Sequence, residues 1–191
     1  MWLISKIFLG LGLLSIFFSF LLIWERNNPN RLSFGNYKEN TVKSSHISPN
    51  RIVIKDANID LPIEPSKIEG NTWQTSRIGI SYLKSSPLPG NQGNSILYGH
   101  NWISLLGSLH RVKPGQKIEI YYKNGVRKIF TISAIGVVTP DQTHVLSPSD
   151  DRRITLYTCT GFLDSKRLVV TAVADENSTN TMKLTDNINT L

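Results

Sequence analysis

The sequence predicts a small all-β domain that follows an N-terminal membrane-spanning helix. Two observations support this prediction: the first 24 residues are almost entirely apolar, and residues 51–174 alternate short β-rich runs with turn residues. Short strands at regular spacing, with little helix between them, are the pattern of a small barrel or sandwich. A chain of 191 residues has room for one such domain and its appendages.

The N-terminal segment is long enough to cross a bilayer. Positions 7–24 contain no charged residue, and Trp2 and Trp24 lie near the two ends, where aromatic rings favour the membrane interface. About 20 helical residues span the roughly 30 Å hydrocarbon core. The alternative is a cleaved signal peptide, but the segment ends in large apolar residues and offers no small-residue cleavage site. We therefore expect an uncleaved signal anchor over residues 1–24.

Composition marks the boundaries of the remaining segments. Residues 25–50 are polar and rich in Asn and Ser, which predicts a linker, and residues 175–191 are polar, which predicts a flexible C-terminal tail. The domain between them has 15 Lys/Arg and 9 Asp/Glu, a net charge of +6. This charge suits an anionic neighbour such as a lipid headgroup or a cell-wall polymer. Basic residues never cluster beyond two adjacent positions, so nucleic-acid binding is not predicted.

About eight short strands are expected in the domain. Alternation of apolar and polar residues, bounded by turn residues, predicts strands over 51–55, 59–63, 95–98, 117–122, 126–138, 153–158 and 167–173. Lys123-Asn-Gly125 is a hairpin signal between two of them. Residues 102–110 are expected to form a short helix.

The sequence has a single cysteine, Cys159. One cysteine excludes an intramolecular disulfide and a multi-cysteine zinc site. Cys159 ends a predicted strand, at the rim of the sheet, where side chains can reach a ligand. The strand pattern leaves two interpretations open: a small buried hydrophobic residue or a nucleophile.

Two other residues become candidates if the thiol is a nucleophile. His100 follows the predicted strand 95–98, and a nearby imidazolium favours the thiolate of a group whose free pKa is about 8.5. Arg167 begins the last strand, eight residues after Cys159, so adjacent antiparallel strands can bring both to one rim. It is either a solvated strand-end charge or a cation that stabilises an oxyanion. His110 and His144 compete with His100 but lie in predicted surface loops.

These residues lie in segments that resemble the motifs of the sortase family. Tyr98-Gly-His-Asn101 resembles the family's histidine motif, Thr155-Leu-Tyr-Thr-Cys159 matches its T-L-x-T-C motif, and Arg167-Leu-Val-Val170 resembles its arginine strand. The order is that of the family, and the similarity extends over residues 52–174.

The resemblance implies an eight-stranded β-barrel with one or two short helices, and a cysteine transpeptidase. It implies Cys159 as nucleophile, His100 as acid and base, and Arg167 as the residue that steadies the oxyanion. Thr158 and Tyr157, beside the cysteine, are implied as substrate-binding residues.

The resemblance also implies partners and location. The substrates would be an LPxTG-like sorting motif near the C-terminus of an exported protein and an amine of a cell-wall precursor or of a pilin-like subunit. The enzyme would be held on the outer side of the cell membrane by its single helix. No cofactor or metal is expected: some sortases use calcium, but the sequence has no carboxylate cluster that demands it.

Three alternatives compete with this interpretation. An L,D-transpeptidase-like enzyme usually carries Ser-x-Gly before its cysteine, whereas Tyr157 and Thr158 precede Cys159 here. A membrane-tethered binding module would use Cys159 only for packing, which leaves the His, Cys and Arg order unexplained. A hydrolytic cysteine protease would share the site but would not use an amine acceptor.

Overall fold

The structure, a computed structural model, describes residues 2–26, 32–34, 37, 48–69, 72–175 and 180–181. The helix α1 (Trp2–Arg26) is apolar on all sides. Its stretch Lys6–Glu25 has a mean hydropathy of 2.5, and each of its residues is exposed. By length and composition this helix is able to cross a membrane.

Strands make up most of the described residues after α1. In chain order they are β1 (Pro49–Ile54), β2 (Ile59–Ser66), β3 (Ile68–Glu69), β4 (Thr72–Trp73), β5 (Ile80–Leu83), β6 (Gly93–Tyr98), β7 (Lys117–Tyr122), β8 (Val126–Val138), β9 (Arg152–Thr160), β10 (Lys166–Ala174) and β11 (Asn180–Thr181).

Eight of these strands form a closed barrel, as predicted. The strand order is β10-β9-β6-β5-β2-β1-β7-β8, and β8 pairs with β10 to close the ring. The pairs β2–β5 and β6–β9 are parallel, and the other barrel pairs are antiparallel. Because β6 and β9 are parallel, their C-terminal ends lie at the same end of the barrel. The N-terminal ends of β5 and β10 lie there too, whereas the β7–β8 turn lies at the opposite end.

Alternation along β9 separates two hydrophobic clusters. Leu156 belongs to the cluster that fills the barrel, whereas Tyr157 and Cys159 belong to a second cluster on the outer face of the sheet. In that outer cluster the ring of Tyr157 stacks on Tyr98 and meets Trp73 edge to face. The outer face of β6 and β9 is therefore a second packing surface beside the cysteine.

The structure corrects one expectation about the barrel and adds one barrel strand that the sequence pattern does not predict. Residues 102–110 do not form an α-helix but a series of turns followed by a 3-10 turn at Leu109–Arg111. A segment this short gains too few hydrogen bonds to offset helix nucleation, and the amide of Gly107 bonds back to the carbonyl of Trp102 instead. The strand β5 was not expected from the sequence, because its four residues are all buried and show no alternation.

The predicted linker and tail fall mostly outside the described residues. Where the structure describes residues 25–50, however, part of the segment packs on the barrel, because Leu32 and Phe34 are buried in the outer cluster. The predicted tail is described only at Asp175 and in β11, which pairs with β8.

Candidate active site

Cys159 and Arg167 face each other across neighbouring strands. The antiparallel register of β9 and β10 places them directly opposite each other, one pair from the end of the ladder. Side chains directly opposite each other in such a ladder lie on one face, with Cβ atoms about 4.5–5.5 Å apart. The turn 161–165 that joins the two strands therefore brings the thiol and the guanidinium together, as the eight-residue spacing predicts.

The third predicted residue, His100, reaches this point from β6. Tyr98 at the end of β6 pairs with Tyr157 in the parallel register. The next residue, Gly99, donates its amide to the Tyr157 carbonyl over 3.3 Å and accepts a hydrogen bond of 2.7 Å from the Thr158 hydroxyl. These two bonds extend the β6–β9 contact by one residue and hold His100 beside the end of β9 that carries the cysteine.

The imidazole of His100 is enclosed. It stacks on the Trp102 indole with ring centres 4.4 Å apart, its Nε2 lies 3.2 Å from the Thr75 hydroxyl, and only 8% of the residue is exposed. Burial lowers the pKa of His100, and the nearby Arg77 cation lowers it further, whereas Asp164 acts in the opposite direction. The imidazole is therefore neutral at pH 7 and able to accept a proton.

Arg167 is held by backbone carbonyls. Its Nη1 donates to the carbonyls of Asp164 at 2.9 Å and Lys166 at 3.0 Å, and its Nη2 donates to the carbonyl of Ser33 at 3.2 Å. The residue is 3% exposed. A guanidinium held this way has little freedom to reorganise, which is what a group that stabilises developing negative charge requires.

Comparison with known proteins identifies the family. A family model described as the sortase domain matches residues 52–175, which is more than half of the chain. The chain belongs to the sortase family.

Solved structures agree with this assignment. Sortase A from Corynebacterium diphtheriae is 30% identical, with a TM-score of 0.58 over 71% of this chain and 65% of that chain. Sortase C1 from Streptococcus agalactiae is 26% identical, with a TM-score of 0.57 over 66% of each chain. This sortase thus spans just under two-thirds of either relative. A search of curated protein sequences gave no significant match.

A segment of the predicted linker covers the site of this sortase. Phe34 meets the Tyr157 ring edge to face at 4.9 Å, and its own ring lies 6.0 Å from the Arg167 guanidinium carbon. The Tyr157 hydroxyl donates to the Leu32 carbonyl at 3.2 Å. Together with the Ser33 contact to Arg167, these contacts place residues 32–34, here called the covering segment, along the outer face next to Cys159, which is 4% exposed.

The predicted substrate-binding residues have other partners in this sortase. The hydroxyl of Thr158 donates a hydrogen bond to the Gly99 carbonyl, and its side chain lies on the opposite face of β9 from Cys159. Its contact with substrate stays a prediction. Tyr157 is fully buried beneath the covering segment. Its contact with substrate also stays a prediction.

Four residues near the three candidate side chains were not singled out from the sequence. Trp102 and Thr75 contact His100, and Asn101 donates a hydrogen bond of 2.8 Å to the Asp164 carboxylate. Asn101 and Trp102 adjoin His100 in the chain, which is a usable signal. Thr75 and Asp164 carry no such signal, because only the folded barrel brings them close.

The two competing histidines lie in segments other than the one that carries His100 along β6. His110 Nδ1 contacts the Gly107 carbonyl of its own loop at 2.8 Å, and His144 lies in the 3-10 turn Thr143–Leu146. No group of three or more His, Cys, Asp or Glu residues in the described part of the chain is arranged to hold a metal ion.

Proposed function

We propose that this sortase is a membrane-anchored cysteine transpeptidase. The observation that carries the proposal is the register that sets Cys159 against Arg167, with His100 held at the same end of the barrel by Gly99. A thiol, an imidazole and a guanidinium at one rim are the groups that acyl transfer through a thioester requires.

The reaction proceeds in two acyl-transfer steps. The Cys159 sulfur attacks the backbone carbonyl of the sorting motif after His100 takes up the thiol proton. The C–N bond breaks, His100 returns the proton to the leaving amine, and a thioester remains. An incoming amine then attacks the thioester, His100 accepts its proton, and the thiol is restored by that proton as the new amide leaves.

The Arg167 guanidinium stabilises the oxyanion formed in each step. A positioned donor of this kind contributes roughly 3–4 kcal/mol to the transition state. The hydrogen bond from Arg167 Nη2 to the Ser33 carbonyl supports this role, because it shows that the guanidinium is able to donate to a peptide carbonyl. The covering segment thus stands where a substrate peptide would lie, and substrate binding requires its displacement.

The proposed substrates and location follow from the family. The acyl donor is an exported protein with an LPxTG-like motif near its C-terminus, and the acceptor is an amine of a cell-wall precursor or a pilin-like subunit. The helix α1 anchors the enzyme in the cell membrane with the barrel on the outer side. The apolar stretch of α1 and the net positive charge of the domain are compatible with that placement.

The test is a product assay with the full chain in lipid nanodiscs. The protein is incubated with a library of LPxTG-like peptides and an amine, and products are identified by mass. The proposal predicts a thioester on Cys159, a ligated peptide–amine product, and neither species with Cys159→Ala. Cleavage without ligation at saturating amine would instead indicate a hydrolase, and absence of both thioester and product would contradict the proposal.

A further inference from the structure

Large apolar side chains are exposed around the entrance to the active site. Ile78, Ile103 and Phe162 are 70%, 87% and 84% exposed. Among the described residues beyond α1, the remaining exposed large hydrophobic side chains are Leu163, next to Phe162, and two residues in the C-terminal half of β8. Single exposed apolar residues are common on soluble proteins, but their concentration at one end of a barrel marks an interaction surface.

Three loops bring these side chains to the same end. The loop 76–79 precedes β5, the loop 99–107 follows β6, and the loop 161–165 follows β9. The carbonyl oxygen of Gly79 lies 3.7 Å from the position that a Cβ atom would take if Gly99 carried one, and Asn101 donates a hydrogen bond to Asp164. These contacts make one continuous surface, here called the catalytic end.

The chain leaves little distance between α1 and this surface. Six peptide units join Arg26, the last residue of α1, to Leu32 in the covering segment. Each unit spans at most about 3.6 Å, so the two Cα atoms lie within about 22 Å of each other. A domain of this size is roughly 35 Å across. With the covering segment in place, this short connection indicates that the catalytic end is the end nearer to the bilayer. The hairpin at 123–125 lies at the end farther from it.

The charge of the catalytic end fits a lipid surface. Arg77 and Lys166 are exposed beside the apolar side chains, while the nearby carboxylate of Asp164 is partly buried against Asn101. Apolar side chains that enter the headgroup region, flanked by basic residues that meet anionic lipid, are the combination found in proteins that lie on a membrane.

We propose that the catalytic end rests on the outer surface of the bilayer that α1 crosses, with Ile78, Ile103 and Phe162 in the headgroup region. This inference rests on the proposed membrane anchor.

Site-specific fluorescence tests the proposal on the full chain in nanodiscs of neutral and anionic lipid. In a Cys159→Ala background, Ile103→Cys and Phe162→Cys each carry an environment-sensitive fluorophore, and quencher lipids carry a spin label just below the headgroup. Asn124→Cys, exposed in the β7–β8 turn at the opposite end, is the matched control. Ile23→Cys in α1 reports the anchor itself.

The proposal predicts blue-shifted emission and strong quenching at positions 103 and 162, and little of either at position 124. If position 23 is quenched but positions 103 and 162 are quenched no more than position 124, the proposed contact is overturned and the anchor remains supported. Absence of quenching at position 23 overturns both the anchor and the contact.

Enzyme activity provides a second measurement. The double variant Ile103→Asp/Phe162→Asp should lower transfer to a lipid-attached amine in nanodiscs by roughly tenfold. The reason is that a charge in the headgroup region costs about as much free energy as the burial of one apolar side chain contributes. Transfer to a soluble amine in detergent should be unchanged. An equal loss with both acceptors would overturn the proposal in favour of a role in catalysis.

Discussion

The Asn101 side-chain amide donates a hydrogen bond of 2.8 Å to the Asp164 carboxylate, 63 residues away in the chain. Asn101 follows His100, and the backbone carbonyl of Asp164 accepts a hydrogen bond from Arg167. Through these two hydrogen bonds, Asp164 links the loop that carries His100 to the guanidinium of Arg167.

Loss of the link should impair turnover more than substrate binding. We expect Asn101→Ala to lower kcat by roughly tenfold, because a hydrogen bond to a charged group contributes about 1.5–3 kcal/mol. Steady-state kinetics measures the effect, with KM little changed. Asn91→Ala, at an exposed loop position near the opposite end of β6, is the control and should retain normal kcat. A normal kcat in Asn101→Ala would contradict the positioning role.

Removal of the thiol should abolish turnover without unfolding the barrel. Cys159→Ala deletes one sulfur atom and leaves a small cavity, so the free energy of unfolding should change by about 1 kcal/mol at most. No thioester or product should form. Denaturant unfolding and mass analysis of the same preparation separate the two effects, and residual ligation well above background would show that another group is the nucleophile.

The shape of the Arg167 guanidinium should matter as much as its charge. Arg167→Lys keeps the charge but loses the planar fork that meets three carbonyls, so we expect kcat/KM to fall by about 10²-fold or more. Arg153→Lys is the matched control, since Arg153 also lies in the barrel sheet but pairs with Asp151 at the partly exposed start of β9. Equal rates for the two variants would exclude an oxyanion role for Arg167.

Weakening the covering segment should expose the cysteine. Phe34 is buried against Tyr157 and Trp73, and Phe34→Ala removes most of that contact area. We expect faster alkylation of Cys159 by a neutral maleimide and a change in Trp73 fluorescence as the segment leaves. Phe162→Ala, which removes the same side chain from an exposed position next to the site, should leave both unchanged. The covering role fails if the two variants alkylate at the same rate.

The pKa of His100 should respond in opposite directions to its two charged neighbours. Arg77→Gln removes a cation and should raise this pKa, whereas Asp164→Asn removes an anion and should lower it. NMR titration of the imidazole measures both shifts. Shifts of the same sign in both variants would show that loop movement, and not charge, controls the imidazole.

The same shift predicts a pH dependence of stability. The folded state binds a proton at His100 less readily than the unfolded chain, whose histidine titrates near 6.5. Between the lowered folded pKa and 6.5, the unfolded state therefore holds more protons, and the free energy of unfolding should rise with pH. His100→Gln should flatten this rise, which denaturant unfolding across pH 4–7 would detect.

Much of the fold was accessible from the sequence because most barrel strands have one polar and one apolar face. Alternation alone gave the bounds of β7 and β8, and the motifs around Cys159 and Arg167 gave their shared rim. The strand β5 escaped prediction because both of its faces are covered, so no period-2 pattern remains.

The contacts that cover and brace the site were less accessible. Leu32 and Phe34 are two apolar residues in an otherwise polar stretch, and only the aromatic face formed by Trp73 and Tyr157 explains their burial. The partner of Asn101 is 63 residues away and has no sequence signature. Such pairings arise from tertiary structure, which local patterns do not encode.

The strand β10 pairs with both β8 and β9, and it is the strand that supplies Arg167. A chain that ends before β10 has two open sheet edges and lacks the guanidinium, so during synthesis the thiol is present before its proposed partner. Completion of the barrel and assembly of the reactive centre are therefore one event. The unpaired edges make the growing chain most prone to aggregation just before that last strand docks.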